Sequence, residues 1–481
     1  MFPRRVASPF RHATTRSGKA QSGPSNAAII GAHRSWRSLS SATRTNTLED
    51  AFEAACSTRE IPGVALLASN RTGSWNYSKA FGRRSVHESA SDEPLDENCS
   101  MWIASCTKLL TSVASLQCVE RGWISLDDDV RDVLHELRDI NIIKRKSVAQ
   151  DFLTTKNIRP ITLRHASPDY SGCFDKHLLT HTSGFSYEFN EPILQEWRRQ
   201  QPEDQRGSWA TLRGRFQHPL LYEPGTSWSY GPSTDWAGLL VERLSGMSLQ
   251  DYTFKVARNI WEPLGIKSMT FFLSTRPDMK SRAASMCWRE PESFASGEFS
   301  PVVHAERQPT LEPDLDDCLG GGGIYATPSE YIKVLRALLG DASAGNISDA
   351  APPPLARLLR RSTAEAMFEP QLNEAGRKAL QAVSEIPRLN LMMGGMPMAT
   401  KKDWGLGGML VMEDLPDWRQ KGVMTWGGTP NLTWWIDRKA ELCGLYAGQL
   451  MPLGDKRSVE LTQLFEREMY ARYRQATSAQ S

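Results

Sequence analysis

Ser105 and Lys108 are the residues of this chain whose types and spacing could do chemistry. They lie in "WIASCTKLLTSVASLQCVERG", Trp102 to Gly122, three positions apart. On a helix that spacing puts both side chains on one face, a turn from each other. A serine hydroxyl attacks a carbonyl poorly until a base takes its proton, and an uncharged lysine amine within reach can be that base. Burial and a nearby positive field would favour the uncharged amine. A serine at a helix N-terminus also has the helix dipole to stabilise negative charge developing beside it. The chemistry implied is acyl transfer through a serine ester. Taken alone the spacing says little: Ser-x-x-Lys is expected by chance about once or twice in a chain of this length at average residue frequencies. A capping serine and a surface lysine are the plain alternative. Cys106 competes as a nucleophile by type, but it has no base at helical spacing, and free cysteines mostly serve as small buried residues.

Those two side chains need elements to hold them. Leu109, Val113, Leu116 and Val119 recur at three- and four-residue steps, which predicts a helix with one strongly buried face, ended by Gly122. Upstream, "TLEDAFEAAC" reads as a short amphipathic helix with a Thr cap and early acids. "GVALLASN", then Gly73 and "SWNYSKAFG", read as two strands joined by a turn. From about 125 to 315 helical patterns alternate with Pro- and Gly-rich loops, "STDWAGLLVERLSG" and "SLQDYTFKVARNIWEPLG" being the clearest helices. "PSEYIKVLRALLG" starts on Pro328, suited to a first helical position, and ends at Gly340. "WGLGGMLVME", "KGVMTWGG", "LTWWIDRK" and "ELCGLYAGQL" read as strands and "SVELTQLFEREMYARY" as a closing helix. Strands at both ends around a helical middle predict an α/β (α+β) body from about 47–125 and 318–475, with a mainly helical subdomain at about 126–317.

Composition bounds the rest. The chain has 481 residues, 40% hydrophobic and 23% charged, with a formal net charge of +2. That profile is globular and gives no argument for a nucleic-acid partner or an anionic membrane surface. No run reaches the ~20 apolar residues of a spanning helix. Eight scattered cysteines show no zinc spacing and fit a reducing compartment. The first 48 residues hold seven arginines and one lysine, and no acid precedes Glu49. With no continuous apolar stretch, residues 1–46 read as a mitochondrial transit peptide or a disordered basic extension, not a secretory signal. The expected location is therefore cytoplasmic or mitochondrial.

Several motifs in order carry a resemblance. "FGRRSVHES…MWIASCTKLLTSVASLQCVERGWISLDDDV" resembles the serine β-lactamase and penicillin-binding-protein superfamily, in its class C-like and esterase branch. "ITLRH" with "LLTHTSGF", "YEPGTSWSYGPSTDWAGLLVERLSG", "CLGGGGIYATPSEYIKVLRALL" and "TWGGTPNLTWWIDRK" match later stretches of that superfamily over about residues 47–470. Within it, "SWSYGPSTDWAG", "WGGTPNLTWWIDR" and "FNEPILQEWRRQ" resemble the fungal lovastatin-type acyltransferases (transesterases) of polyketide biosynthesis. The resemblance implies an antiparallel sheet flanked by helices plus the helical subdomain.

It also implies roles. Ser105 would form the acyl-enzyme, Lys108 would accept its proton, and Tyr230 would pass protons to the leaving group and from the second nucleophile. The backbone N–H groups of Ser105 and Thr429 would form the oxyanion hole. Trp426, Gly427 and Gly428 would contact substrate, the glycines permitting close approach of an acyl group. No cofactor and no metal are implied; the partners are a small-molecule acyl donor and a hydroxyl acceptor. Two departures matter. Trp426-Gly427-Gly428 stands where β-lactamases carry Lys-Thr-Gly, which replaces a carboxylate-pairing lysine with apolar surface. Tyr230-Gly231-Pro232 lacks the amide or hydroxyl usual two places after the tyrosine, and Ser233 is the nearest replacement. "ASPDYSGCFDKH", Ala166 to His177, reads as an added surface loop, and His165, His177 and His181 around it match no metal-ligand spacing.

Three functions follow: a serine acyltransferase acting on a small natural product, a carboxylesterase with the same acyl-enzyme, and a non-catalytic mitochondrial scaffold. β-Lactam hydrolysis is the weakest enzymatic option. Trp404, Met409, Trp434 and Trp435 would suit an apolar pocket or the core.

Overall fold

Short apolar segments separated by turns become one antiparallel sheet in the computed structural model, which describes residues 47–145, 152–163, 177–202, 208–255, 260–290, 299–308, 315–340 and 358–479. The strands are β1 (Gly63–Asn70), β2 (Asn76–Gly82), β3 (Lys402–Trp404), β4 (Met409–Val411), β5 (Met424–Gly428), β6 (Leu432–Asp437) and β7 (Leu442–Gly448), ordered β3-β4-β5-β6-β7-β1-β2. Neighbours are antiparallel throughout, and β1 pairs with β7 in the register Val64 to Gly448, so the two ends of the chain share one sheet. Side chains alternate along a strand. Ala65 and Leu67 accordingly join one core while Val64, Leu66 and Ala68 join the other.

Helices cover both faces. On one side lie α1 (Leu48–Ser57) and α9 (Lys456–Ser478), on the other α2 (Thr107–Glu120) and α6 (Pro328–Gly340). Thr47 and Asp50 close a capping box at the start of α1. Asp455 caps α9 by accepting from the Ser458 N–H at 2.9 Å. Among its described residues the middle of the chain holds α3 (Pro192–Gln200), α4 (Leu212–Phe216) and α5 (Ser233–Ser245), long loops, and a hairpin of Asn141–Arg145 with Phe152–Lys156. The helix read from "SLQDYTFKVARNIWEPLG" is described only over Leu249–Lys255. Two further helices, α7 (Glu374–Ser384) and α8 (Pro387–Met392), precede β3. The expected loop at 166–177 lies outside the described residues save His177, and residues 1–46 lie outside them too. Asn46–Ser481 forms one unit by its internal contacts. No helix among the described residues is long and apolar enough to cross a membrane.

The α2 helix departs from a one-faced pattern. Thr107 to Cys118 are all buried, because the polar positions find partners inside. Thr107 Oγ1 accepts from the Ile324 N–H, Thr111 Oγ1 donates to Gly320 O at 2.7 Å, and Gln117 Nε2 donates to Leu358 O at 2.9 Å. A satisfied polar group is tolerated in a core that would reject an orphaned one.

Across the sheet, Arg419 and Glu466 form a two-pronged ion pair at 2.8 and 2.9 Å, tying the β4–β5 loop to α9 with both side chains out of water. Removing one member leaves the other charge buried and alone. Arg419→Met is expected to lower stability by about 3–5 kcal/mol, read as a drop in the urea midpoint. Adding Glu466→Leu should restore most of it, since an apolar pair replaces the orphaned charge.

Candidate active site

The turn that carries Ser105 begins with a strained residue. Ala104 has φ +45°, a left-handed conformation that costs a residue with a Cβ about 1–2 kcal/mol. Around it the backbone is pinned: Ile103 N–H donates to Ile324 O, Cys106 N–H to Ile103 O, and Tyr331 OH to Cys106 O, each at 2.9–3.0 Å. The turn Ala104–Cys106 then runs into α2. Ser105 lines a cavity of about 700 Å³, while Cys106 points into the core, fully buried. Burial pushes the Cys106 thiol up, away from the reactive thiolate.

Lys108 sits beneath Ser105 and is 4% exposed. Its Nζ is 3.5 Å from Ser105 Oγ, 2.9 Å from Tyr187 OH and 2.6 Å from Gly321 O. Tyr187 OH in turn donates to Asp235 Oδ2 at 3.4 Å, and Asp235 Oδ1 accepts the Gly321 N–H at 2.9 Å. Burial raises the Asp235 carboxyl above its ordinary range, with Lys108 opposing. The Tyr187 phenol is pushed well up by burial and by Asp235, so it remains a donor. Sequence reasoning missed both residues. Asp235 reads as an ordinary acid in the first turn of α5, and Tyr187 in "GFSYEFN" carries no local signal.

The glycine run 320–323 threads between α2 and α5. A Cβ on Gly320 would meet Thr234 O at 2.8 Å, and one on Gly321 would meet Asp235 Oδ2 at 2.1 Å. Only a bare backbone can bring the Gly321 carbonyl to the lysine and its N–H to the aspartate.

Tyr230 and Trp426 face the same cavity as Ser105. Trp426 Nε1 donates to Tyr230 OH at 3.0 Å, so the tryptophan supplies a hydrogen bond as well as apolar surface. Indole can only donate; the phenol oxygen therefore accepts there and keeps its proton for another partner. The Lys108 ammonium lies 4.9 Å from the Tyr230 ring centroid. Behind Tyr230 stands His181, its ring centroid 4.7 Å from the phenol and 5.0 Å from Trp404. His181 Nδ1 accepts the Gly231 N–H at 3.4 Å, and burial with Lys108 nearby holds its pKa well below the ordinary value. His181 is thus a neutral packing residue. Ser233 does not stand in for an amide side chain: it is fully buried and its Oγ pairs with Ser183 Oγ at 2.7 Å.

Thr429 lines the cavity at the β5–β6 turn together with Gly427 and Gly428. The reason for the glycines is internal. A Cβ on Gly427 would meet Leu432 O at 2.2 Å, and one on Gly428 would meet Ile103 O at 2.3 Å and Cys106 Sγ at 3.3 Å. Thus the bare backbone of Gly428 lets β5 close on the serine turn, and that of Gly427 fits against its partner strand β6. Asn431, also missed, bolts this turn down: it donates to Leu450 O and Pro452 O and accepts from the Gly454 and Asp455 N–H groups, at 2.7–3.1 Å. Met409 lines the cavity; Trp404, Trp434 and Trp435 are buried core residues. Among the described residues no cluster of three or more His, Cys, Asp or Glu is arranged for a metal.

His218 braces this wall from behind, its ring 5.8 Å from Phe185. Its Nδ1–H donates to Pro219 O at 3.0 Å, Nε2 is buried without a partner, and burial pushes the pKa down to about 4. The unfolded chain therefore takes a proton first. The stability tied to this neutral ring is complete above pH ~6.5 and is lost as pH falls towards 4, amounting to roughly 3 kcal/mol. His218→Gln should make the decline of unfolding free energy between those pH values shallower than in the unaltered protein.

The beta-lactamase family profile matches residues 48–466. Monacolin J acid methylbutanoyltransferase of Aspergillus terreus is 36% identical over 433 residues, 89% of this chain and 96% of that protein. Lovastatin esterase of Penicillium rubens is 32% identical, spanning 89% of this chain and 98% of the esterase. The solved structure of unliganded simvastatin synthase from Aspergillus terreus superposes with a TM-score of 0.77 at 35% identity, covering 89% of this chain and 98% of the synthase. The likeness removes the non-catalytic scaffold reading and, with the sheet and its flanking helices, makes one conclusion: this chain is an enzyme of the beta-lactamase family, in the branch that holds fungal serine acyltransferases and esterases.

Proposed function

We propose that Ser105 is the nucleophile of an acyltransferase that moves a short or branched acyl group from a thioester or ester to a hydroxyl of a polyketide-type natural product. The observation carrying this reading is the placement of Ser105 Oγ 3.5 Å from Lys108 Nζ at the floor of a large, mainly apolar cavity.

The three contacts of Lys108 use all three N–H bonds of an ammonium. An uncharged amine keeps two, to Tyr187 OH and Gly321 O, and turns its lone pair to the serine. In that state Ser105 Oγ attacks the acyl carbonyl as its proton moves to Nζ. Contacts of this length commonly tighten once substrate binds. The oxyanion is met by the Ser105 and Thr429 N–H groups, a donor of this kind contributing ~3 kcal/mol in the transition state. As the tetrahedral adduct collapses, Tyr230 OH hands a proton to the departing thiolate or alkoxide. The acceptor hydroxyl then enters, gives its proton back through Tyr230, and attacks the serine ester.

Transfer rather than hydrolysis requires that water be kept from the ester. The rings of Tyr230, Trp426, Trp228 and Phe189 on the cavity wall support that. The relatives named for monacolin J acid and ML-236A carboxylate suggest an acceptor that is a hydroxylated polyketide acid. A carboxylesterase is the second reading, favoured by the relative named lovastatin esterase. Trp426 in place of a lysine weighs against β-lactams. The basic N-terminal segment supports a cytoplasmic or mitochondrial location.

Incubation with a panel of acyl thioesters and simple esters should add one acyl mass, by intact mass spectrometry, and Ser105→Ala should abolish it. Absence of an adduct from every reactive donor would overturn both readings. Adding hydroxyl acceptors then separates transfer from hydrolysis. Tyr187→Phe removes the link between Lys108 and Asp235; it should slow acylation about 100-fold, read as the burst rate with a chromogenic ester.

A further inference from the structure

The two donors proposed for the oxyanion hole come from separate parts of the chain, the Ser105 turn and the connection Thr429-Pro430-Asn431 between β5 and β6. Two N–H groups serve one oxygen only if both stay about 3 Å from it, so their separation has to be set before the reaction starts. Pairing within the sheet does not set it, because Thr429 lies beyond the last paired residue of β5, Gly428. Segment 449–455, between β7 and α9, is hydrogen-bonded to both parts.

On one side it holds the connection. Leu450 N–H donates to Pro430 O at 3.2 Å. Asn431 Nδ2 donates to Leu450 O and Pro452 O at 2.7 and 2.8 Å, and Asn431 Oδ1 accepts from the Gly454 and Asp455 N–H groups at 3.0 and 3.1 Å. Those bonds use both donors and both lone pairs of the amide side chain. Asn431 is buried and has φ +59°, a left-handed conformation that asparagine tolerates better than most side chains. Pro430 in turn biases Thr429, the residue before it, towards extended backbone.

On the other side, buried Gln449 donates from Nε2 to Trp102 O at 3.1 Å, where the chain enters the Ser105 turn. The segment is itself anchored. Cys287 and Arg289 N–H groups donate to Gln449 O and Met451 O, each at 2.8 Å. Arg289 Nε donates to Asp455 Oδ1 at 2.5 Å, and both side chains are out of water.

We infer that segment 449–455 is the brace that sets the distance between the Ser105 and Thr429 N–H groups, with Asn431 and Gln449 as its positioning residues. The inference rests on the acyl-enzyme reading and adds two residues to it, neither of which touches substrate. Asn431 registers the Thr429 donor, Gln449 the Ser105 donor, and the buried Arg289–Asp455 pair keeps the brace itself in place.

The test uses the full chain, a chromogenic short-chain ester and an alkylboronic acid, whose tetrahedral adduct on a serine puts an oxygen where the oxyanion forms. Asn431→Gly keeps the left-handed backbone and loses the side-chain bonds. Gln449→Met keeps the side-chain length and loses the bond to Trp102. The burst rate should fall about 30-fold in the first and about 10-fold in the second, with the ester's dissociation constant within about twofold, because the donors act in the transition state. Inhibition by the boronic acid should weaken by the same factor as the burst. An unaltered burst rate and boronic-acid affinity in either folded variant, even with a lower urea midpoint, would overturn the inference. Weaker ester binding at an unaltered burst rate would overturn it too. If Asn431→Gly does not fold, Gln449→Met decides by the same readings. Failure of the unaltered protein to form the Ser105 adduct would instead overturn the acyl-enzyme reading.

Discussion

An amine taken almost out of water must find partners for every N–H it keeps, and Lys108 imposes that condition on everything around it. Tyr187 OH and the Gly321 carbonyl meet two of its contacts at 2.9 and 2.6 Å, leaving the third, longer contact for Ser105. The asymmetry is chemically useful. The two short contacts face acceptors in the fold, and the long one faces the serine. Asp235 stands behind this arrangement, accepting from Tyr187 OH.

Much of the local architecture is arranged to deliver those partners. The glycine run must be bare to pass between α2 and α5, and β5 must be bare at Gly428 to close on the serine turn. Ala104 is held in a left-handed conformation by bonds to Ile324 and Tyr331 through its neighbours. Strain at one residue is sustained because the surrounding core over-determines its position. The polar positions of α2 that look like a solvent face are used to hold the glycine run in place.

The third motif ties two aromatic residues together. Trp426 gives the cavity an aromatic face and orients the Tyr230 hydroxyl through its indole N–H. Trp404 and His181 pack behind these rings and keep water from that side. His181, which lies in a histidine-bearing segment that invites a metal or acid–base reading, is a neutral spacer instead, because burial and the nearby lysine both oppose its charge.

Residue order alone determined a good deal. Most strands of the sheet were legible from alternation within a few residues, and the spacing of Ser105 and Lys108 together with the ordered motifs picked out Ser105, Tyr230 and the Trp426–Thr429 turn, which the structure brings to one cavity. The exceptions share a cause. Tyr187 and Asp235 act on a lysine 79 and 127 positions away, Gly428 answers to the Ile103 carbonyl, and Asn431 to a turn some twenty residues on. Their functions are contacts across the fold, and local pattern carries no trace of them. Among its described residues the middle of the chain also carries long loops and a hairpin, because an apolar rhythm marks what is buried without saying that the backbone is regular. What the tertiary structure decided was which polar groups are taken out of water together, and that depends on three-dimensional packing that no single segment encodes.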